Sequence, residues 1–163
     1  MELQSQDGLF VEKKDAIAKA IHEKYRRNQQ GRKPPDDPAM APWETLSETL
    51  KGSNRHQADQ IQQKLRRIDC EIRLPASGQP APFTFEPAEE EILAEMEHDR
   101  WVAERLQEGS RMGPRDPEKK MTPHLVGWDE LEEDIRDYDR DAVRAIPIIL
   151  AEVGLEIYRR PSK

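Results

Sequence analysis

The sequence predicts a mainly α-helical protein, α+β only through a minimal two-stranded β element, built as a pseudo-two-fold tandem repeat of helical units. The main observation is an internal repeat, because residues 38–72 align with residues 123–157 at a constant offset of 85 positions. Residues 18–25 align with residues 94–101 at an offset of 76 positions, so the second copy carries a loop nine residues longer. Two copies are too few for an open solenoid, and a closed pair is expected.

Identical residues recur between residues 38–72 and residues 123–157. These identical pairs are Pro38/Pro123, Trp43/Trp128, Leu46/Leu131, Glu48/Glu133, Arg55/Arg140, Ile61/Ile146, Leu65/Leu150, Glu71/Glu156 and Ile72/Ile157. We assign the first copy to residues 9–74 and the second to residues 87–160, with a proline-rich linker at 75–86. A chain of this length allows one domain made of two halves that do not fold separately.

The first copy is predicted to begin with a helix and to end with a strand. Apolar residues mostly four apart predict a helix over residues 9–29, which stops before Gly31. A short helical turn is expected at Trp43, and Asn54 is predicted to cap a second helix. Alternation over residues 70–74 predicts a short strand.

The second copy is predicted to repeat this order with a longer connection. It begins with a helix from residue 87 or 88 to about residue 107, followed by a loop over 108–127 and a helical turn at Trp128.

The last elements of the second copy are a helix and a strand. Asp139 is predicted to cap a final helix that runs through Ile149 and is ended by Gly154. Residues 155–158 alternate and predict a second strand, which is expected to pair with the first.

Composition excludes several classes of function. The net charge is −7 and the chain has no block of lysines or arginines, so binding of duplex nucleic acid is not expected. Cys70 is the single cysteine, which excludes an internal disulfide and fits the cytoplasm. The longest apolar run, residues 145–151, contains Pro147 and is too short to insert into a membrane.

Catalytic and metal-binding patterns are weak. The four histidines are never at ligand spacing with one another, so no metal or other cofactor is expected. His98 has carboxylates beside it in sequence, but adjacent residues of a helix do not face each other, and no nucleophile accompanies it. The sequence therefore predicts a protein that is not an enzyme.

A His-x-x-aromatic string recurs in both copies and is the candidate ligand site. His22 precedes Tyr25 by one helical turn, as His98 precedes Trp101, and Arg105 follows Trp101 by another turn. Two such faces could clamp a flat ring, since base stacking on an aromatic side chain stabilises binding by about 1 to 3 kcal/mol. A nearby guanidinium could hold a phosphate.

A structural interpretation of the same residues stays open. Tyr25 and Trp101 could be core anchors, and the histidines could tie helix ends to neighbouring loops. Trp43 and Trp128 each begin a Trp-x-x-Leu turn and are interpreted as plugs between helices. Arg55 and Arg140 are interpreted as first-turn residues behind the predicted caps.

The strongest strings resemble the repeat domain of ryanodine receptors, the RyR domain, in its bacterial, tandem form. They are Glu97-His-Asp-Arg-Trp101, Gly109-Ser-Arg-Met-Gly113, Lys120, Pro123-His-Leu-Val126, Trp128-Asp-Glu-Leu131, Asp139-Arg140 and Gly154-Leu-Glu-Ile157. The chain departs from the family pattern at Ser110, Met112 and Thr122, where the family often has Trp, Tyr and His.

The resemblance implies a non-enzymatic ligand-sensing or regulatory module. It implies an adenine nucleotide or a related nucleotide signal as the ligand, held between the two His-x-x-aromatic helices. It also implies that the domain sits in a longer bacterial protein with an attached effector or a channel-like or transport-like region. The implied ligand-binding residues are Tyr25, Trp101, His22, His98, Asn28, Arg105 and Arg111.

Two rival functions remain at this point. In the first, the chain is a protein-interaction module without a small-molecule ligand, and the charged surface from Glu130 to Asp141 makes the contacts. In the second, the chain is an enzyme acting on a nucleotide, which would need a base that the sequence does not identify.

Overall fold

A computed structural model of the chain describes residues 6–161, with the backbone alone for residues 6 and 7. About 59% of the chain is helical, and the predicted mainly α fold with a small β element is confirmed. The described residues form four helices, namely α1 (Gln6–Gln29), α2 (Glu48–Arg67), α3 (Pro87–Gln107) and α4 (Glu133–Glu152). They also form four short strands, namely β1 (Cys70–Arg73), β2 (Arg111–Met112), β3 (Met121–Thr122) and β4 (Glu156–Arg159).

The chain divides into two compact units. Unit 1 contains the described residues through Phe83 together with those from Ile146 onward, and unit 2 runs from Thr84 to Ala145. The division falls inside α4, so the last turns of that helix belong to unit 1 with β4. None of the helices in residues 6–161 combines the length and the apolar character needed to cross a membrane.

The core of unit 1 lies where α1 packs on α2 and where the β1–β4 sheet covers their ends. Ile17 and Leu65 are almost completely buried, as the helical spacing of apolar residues requires. Leu150 and Leu155, which flank the end of α4, have no exposed surface. Full burial of a side chain of this size stabilises the fold by about 1.5 to 3 kcal/mol.

The predicted pairing of the two strands is confirmed. β1 and β4 pair antiparallel with Ile72 opposite Ile157, two residues that occupy equal positions in the sequence repeat. The carboxylate of Glu156 accepts hydrogen bonds from the backbone N of Ala81 at 3.0 Å and from Nε of Arg73 at 2.7 Å. These two donors hold the pKa of Glu156 below its usual range.

The predicted helix caps at Asn54 and Asp139 are wrong. α2 begins earlier, at Glu48, because Ser47 Oγ accepts a hydrogen bond from the backbone N of Leu50 at 3.3 Å. Asn54 lies inside α2, where its Nδ2 donates to the carbonyl of Leu50 at 3.1 Å. Asp139 likewise lies inside α4. Residues that favour caps are also accepted within a helix when a local hydrogen bond satisfies them.

Gly154 ends α4 as predicted. Its φ of +81° is the left-handed conformation that glycine adopts without strain. The backbone N of Leu155 donates to the carbonyl of Leu150 at 2.9 Å, and that of Gly154 donates to the carbonyl of Ala151 at 3.0 Å, which together close the helix end. Pro147 lies inside the helix without ending it.

The loop predicted over residues 108–127 contains two strands that the sequence did not indicate. β2 and β3 pair in parallel, with Arg111 opposite Met121 and Met112 opposite Thr122. Gly113 follows β2, and a Cβ added there would collide with the end of the Met121 side chain. The atom in the way is the terminal methyl of a flexible side chain, so Met121 would have to shift if Gly113 were replaced.

Candidate functional site

The buried histidine of unit 1 joins α1 to the loop that follows it. His22 is 3% exposed, and its Nε2 lies 2.6 Å from the carbonyl oxygen of Ala41. A carbonyl oxygen can only accept, so Nε2 carries the proton and donates. The imidazole centroid lies 6.5 Å from that of Tyr25 at an interplanar angle of 22°, and 6.3 Å from that of Trp43 at 51°.

Unit 2 contains the same arrangement around His98. Its Nε2 donates to the carbonyl oxygen of Val126 at 2.6 Å, and His98 is also 3% exposed. The imidazole centroid lies 6.0 Å from that of Trp101 at 20°, and 6.2 Å from that of Trp128 at 51°. Both histidines thus tie a helix to the following loop, and neither Nε2 is available to a ligand while that hydrogen bond is present.

An open pocket of about 310 Å³ lies in unit 1 beside Tyr25, and we call it the Tyr25 pocket. Its polar lining comes from His22, Tyr25, Lys33, Ser53, Asn54 and Gln57. Its apolar lining comes from Ile21, Ala39 and Leu50. An aromatic ring, amide and hydroxyl groups and one cation therefore surround a space at the lower end of the usual range for small-molecule sites, about 300 to 1,000 Å³.

Lys33 is the charged residue of the Tyr25 pocket, and no carboxylate belongs to its described lining. The ammonium group donates a hydrogen bond to the phenolic oxygen of Tyr25 and lies 5.2 Å from the centroid of that ring. The turn that carries Lys33 is fixed, because its backbone N donates to the carbonyl of Gln29 at 3.0 Å and Gly31 has a φ of +80°.

The corresponding aromatic residue of unit 2 has a different cation beside it. The guanidinium carbon of Arg105 lies 5.9 Å from the centroid of the Trp101 ring. Nη1 of Arg105 donates to Oε2 of Glu108 at 2.9 Å, whereas its Nε is buried without a hydrogen-bond partner among the described residues. Trp101 itself is half-buried.

The remaining predicted ligand residues lie at the surface. Asn28 is exposed near the end of α1 and does not belong to the lining of the Tyr25 pocket. Arg111 is exposed in β2, where its backbone N donates to the carbonyl of Lys120 at 2.8 Å. The structure therefore brings His22 and Tyr25 together in unit 1, and His98, Trp101 and Arg105 together in unit 2.

Arg140 lies within α4 and not in its first turn, so the position predicted for it from the sequence is wrong. Arg140 Nε donates to Glu91 at 2.7 Å, and its Nη1 donates to Glu133 at 2.9 Å and to Asp137 at 2.8 Å. These three hydrogen bonds raise the pKa of Arg140 above its ordinary value, and the one to Asp137 has the largest effect. The guanidinium carbon also lies 5.7 Å from the centroid of the Trp128 ring.

Arg55 makes the matching cluster in unit 1, within α2 and again outside the first turn. Its Nε donates to Asp15 at 2.8 Å, its Nη1 lies 3.5 Å from Glu48, and its guanidinium carbon lies 5.8 Å from the centroid of the Trp43 ring. The hydrogen bond from Arg55 holds the pKa of Asp15 below its usual range. The two arginine clusters could have been found in the sequence, because both arginines have carboxylates at equivalent positions of the repeat.

Tryptophan burial differs between the two clusters. Trp128 is buried, as expected of a plug between helices, whereas Trp43 is half-buried. Lys51 Nζ lies 5.4 Å from the centroid of the Trp43 ring, and the guanidinium carbon of Arg136 lies 5.4 Å from that of the Trp128 ring. Each tryptophan is thus in contact with two cations from the helix that follows it.

A comparison with known protein families gives a match over part of the chain. The family model of the RyR domain matches residues 86–159, which include α3, the β2–β3 loop, α4 and β4. The predicted resemblance to the RyR domain is confirmed over these residues, whereas its bacterial, tandem form stays a prediction. No curated protein matches the chain.

Proposed function

We propose that this chain is a non-enzymatic regulatory module, a tandem pair of RyR-type units, that binds an adenine nucleotide or a related nucleotide signal. The Tyr25 pocket is the observation that carries this proposal. In this proposal the module belongs to a longer, cytoplasmic bacterial protein, and ligand binding alters an attached effector or a channel-like or transport-like region.

The tandem pair is supported by equal local geometry in the two units. The histidine-to-carbonyl distance is 2.6 Å in each, and the two tryptophans meet the histidines at the same interplanar angle of 51°. The pairing of Ile72 with Ile157 is also the register expected when two equal strands meet. One ancestral unit present twice accounts for all three observations.

Nucleotide binding is supported by the chemistry of the pocket lining. The Tyr25 ring offers a stacking surface, and stacking of a base is worth about 1 to 3 kcal/mol. Asn54 and Gln57 carry amide groups, which can read the donors and acceptors of a base edge. The Lys33 ammonium supplies a positive charge for a phosphate.

Ligand binding by residues of unit 2 is a separate part of the proposal. Trp101 repeats the His-x-x-aromatic geometry, and the Nε of Arg105 beside it has no hydrogen-bond partner within residues 6–161. A contribution of Trp101, His98, Arg105 and Arg111 to ligand binding stays a prediction, as does a contribution of Asn28 in unit 1.

The experiment is isothermal titration of the purified chain with adenosine, AMP, ADP, ATP, cyclic AMP and NAD. We expect saturable binding of at least one nucleotide, weakened about 5-fold to 150-fold in Tyr25→Ala because stacking is lost. Tyr138→Ala is the matched control, since Tyr138 is 71% exposed in unit 2. Trp101→Ala tests the second claim independently, and thermal melts establish that each variant is folded.

Two outcomes would contradict the proposal. Wild-type affinity in Tyr25→Ala would exclude the Tyr25 pocket as the ligand site. Absence of binding across the whole panel would favour the protein-interaction module, which is supported by the exposed acidic residues along the start of α4 and by exposed Tyr138. A conversion product in the incubations would instead indicate an enzyme.

A further inference from the structure

The geometry points to a ligand that combines a flat ring with a single anionic group, and to Lys33 as the residue that selects it. This inference rests on the proposed function. The inferred ligand is a nucleoside monophosphate or a cyclic mononucleotide, both of which carry one phosphate. It excludes a nucleoside triphosphate as the preferred ligand.

The charge around the Tyr25 pocket is the first reason. Lys33 supplies the one cation of the described lining, while the whole chain carries a net charge of −7. The protein as a whole therefore repels anions, and attraction depends on this local ammonium group. It would balance the single charge of a cyclic mononucleotide and about half the charge of a terminal monophosphate, but a much smaller share of the charge of a triphosphate.

The neighbouring arginines of α1 are already engaged. Arg26 Nε donates to the carbonyl of Met40 at 2.9 Å, and its Nη1 pairs with Glu23 at 2.7 Å. Arg27 pairs with Glu152 at 3.5 Å. Neither belongs to the pocket lining, so Lys33 is the residue placed to meet a ligand phosphate.

The position of Lys33 is the second reason. Its ammonium group lies beside the Tyr25 ring and uses the phenolic oxygen as an acceptor. When the ring of a ligand stacks on Tyr25, the ligand phosphate would replace the neutral phenolic oxygen as the acceptor for Lys33. An anionic acceptor makes a stronger hydrogen bond. The backbone of Lys33 is held by Gln29, so this exchange needs only rotation of the lysine side chain.

The size of the pocket is the third reason. A volume of about 310 Å³ lies at the small end of the range for ligand sites. Such a space suits one nucleoside with one phosphate better than a dinucleotide.

The experiment compares adenosine, AMP, cyclic AMP, ATP and inorganic phosphate by isothermal titration. We expect AMP or cyclic AMP to bind at least about tenfold tighter than adenosine, and ATP to bind no tighter than the preferred monophosphate. Inorganic phosphate, which lacks the ring, should bind weakly. The AMP and cyclic AMP arms distinguish a terminal phosphate from a phosphodiester.

Three variants test the role of Lys33. Lys33→Met should abolish the preference for the phosphorylated ligand, because the ammonium group is lost, and the ratio of AMP affinity to adenosine affinity is the readout. Lys33→Arg should retain most of the preference. Arg32→Met is the matched control, since it removes the same charge one residue away at an exposed position outside the pocket lining.

The outcomes separate this inference from the proposed function. Preferential binding of ATP, or a preference for AMP that survives in Lys33→Met, would overturn the inference while nucleotide binding itself stands. Equal loss of preference in Arg32→Met would show a diffuse charge effect and would also overturn it. No binding of any compound would overturn both.

Discussion

The two units fix the same histidine but support the surrounding loop differently. In unit 1, Arg26 donates to Met40 and Glu23 accepts from the backbone N of Trp43 at 3.4 Å, in addition to the hydrogen bond of His22. The equal positions in unit 2 are Val102 and Asp99, and Val102 cannot make such a bond. The loop of unit 2 is longer and supplies its own support through the β2–β3 pair. The histidine is therefore the shared element of the scaffold.

The surroundings of the aromatic residues also differ in charge. Ile21 of the Tyr25 pocket corresponds to Glu97, which pairs with Arg100 at 2.6 Å. Asn54 corresponds to Asp139, whose Oδ2 lies 3.8 Å from Nδ1 of His98. Unit 2 thus has carboxylates where unit 1 has neutral side chains. One scaffold thus carries two electrostatic environments, and unit 1 is better suited to an anionic ligand.

The largest effect is expected from removing the histidines. His98→Ala should lower the free energy of unfolding by about 2 to 3 kcal/mol, because a buried ring and its hydrogen bond to the carbonyl of Val126 are both lost. His22→Ala should cost less, since Arg26 and Glu23 still hold the loop of unit 1. Urea denaturation measures both. His56→Ala, at an exposed position of α2, is the control.

The relative size of the two losses in unfolding free energy tests whether unit 1 has additional supports. A larger loss in His22→Ala than in His98→Ala would contradict the argument that unit 1 has additional supports. Losses no larger than that of His56→Ala would mean that neither histidine holds its loop.

A smaller effect is expected from the arginine clusters. Arg140→Met should lower the free energy of unfolding by about 1 kcal/mol, because its side chain is 12% exposed, contacts Trp128 and pairs with three carboxylates. Arg55→Met should have a smaller effect, since that side chain is 34% exposed. Urea denaturation compares them with Arg144→Met, whose side chain is 54% exposed. Equal losses for all three would remove the distinction between the units.

The smallest effect is expected in the dependence of stability on pH. Hydrogen bonds from Arg140 and Arg55 hold the pKa values of Glu133 and Asp15, respectively, below their usual ranges. A carboxyl group with a lowered pKa in the folded state stabilises the fold above its unfolded pKa, and this contribution is lost as pH falls through the folded value. The thermal midpoint should therefore decrease below about pH 4.

Matched variants assign that decrease to the two clusters. Glu133→Gln in unit 2 and Asp15→Asn in unit 1 should each flatten the acid limb of the curve of thermal midpoint against pH, whereas Glu95→Gln, at an exposed position of α3, should leave it unchanged. An unaltered acid limb in both cluster variants would show that these ion pairs contribute nothing measurable.

Much of the fold could be predicted from the sequence because local signals were strong. α3 has the predicted bounds, since Pro87 begins it and the backbone N of Glu86 donates to Glu89 Oε1 at 2.8 Å. Its end is set by Gly109, with a φ of +87°. The caps at Asn54 and Asp139 were wrong because the same residue types are also accepted inside helices.

The β2–β3 pair could not be predicted for a different reason. Two-residue strands are too short to show an alternating pattern, and their pairing depends on hydrogen bonds across the loop, such as that from the backbone N of Gly113 to the carbonyl of Thr122 at 3.1 Å. Only the path of the folded loop brings these groups together.

The amino-acid pattern was sufficient to predict the mainly helical fold, the strand pairing and the recurrence of a histidine one turn before an aromatic residue. The roles of those residues depend on the folded chain, because His22 and His98 donate to carbonyls 19 and 28 residues away. It also placed Lys33 beside Tyr25, a contact that no periodicity encodes. Helical periodicity is local and can be read from the chain, whereas the partners of a buried polar group depend on where a loop returns.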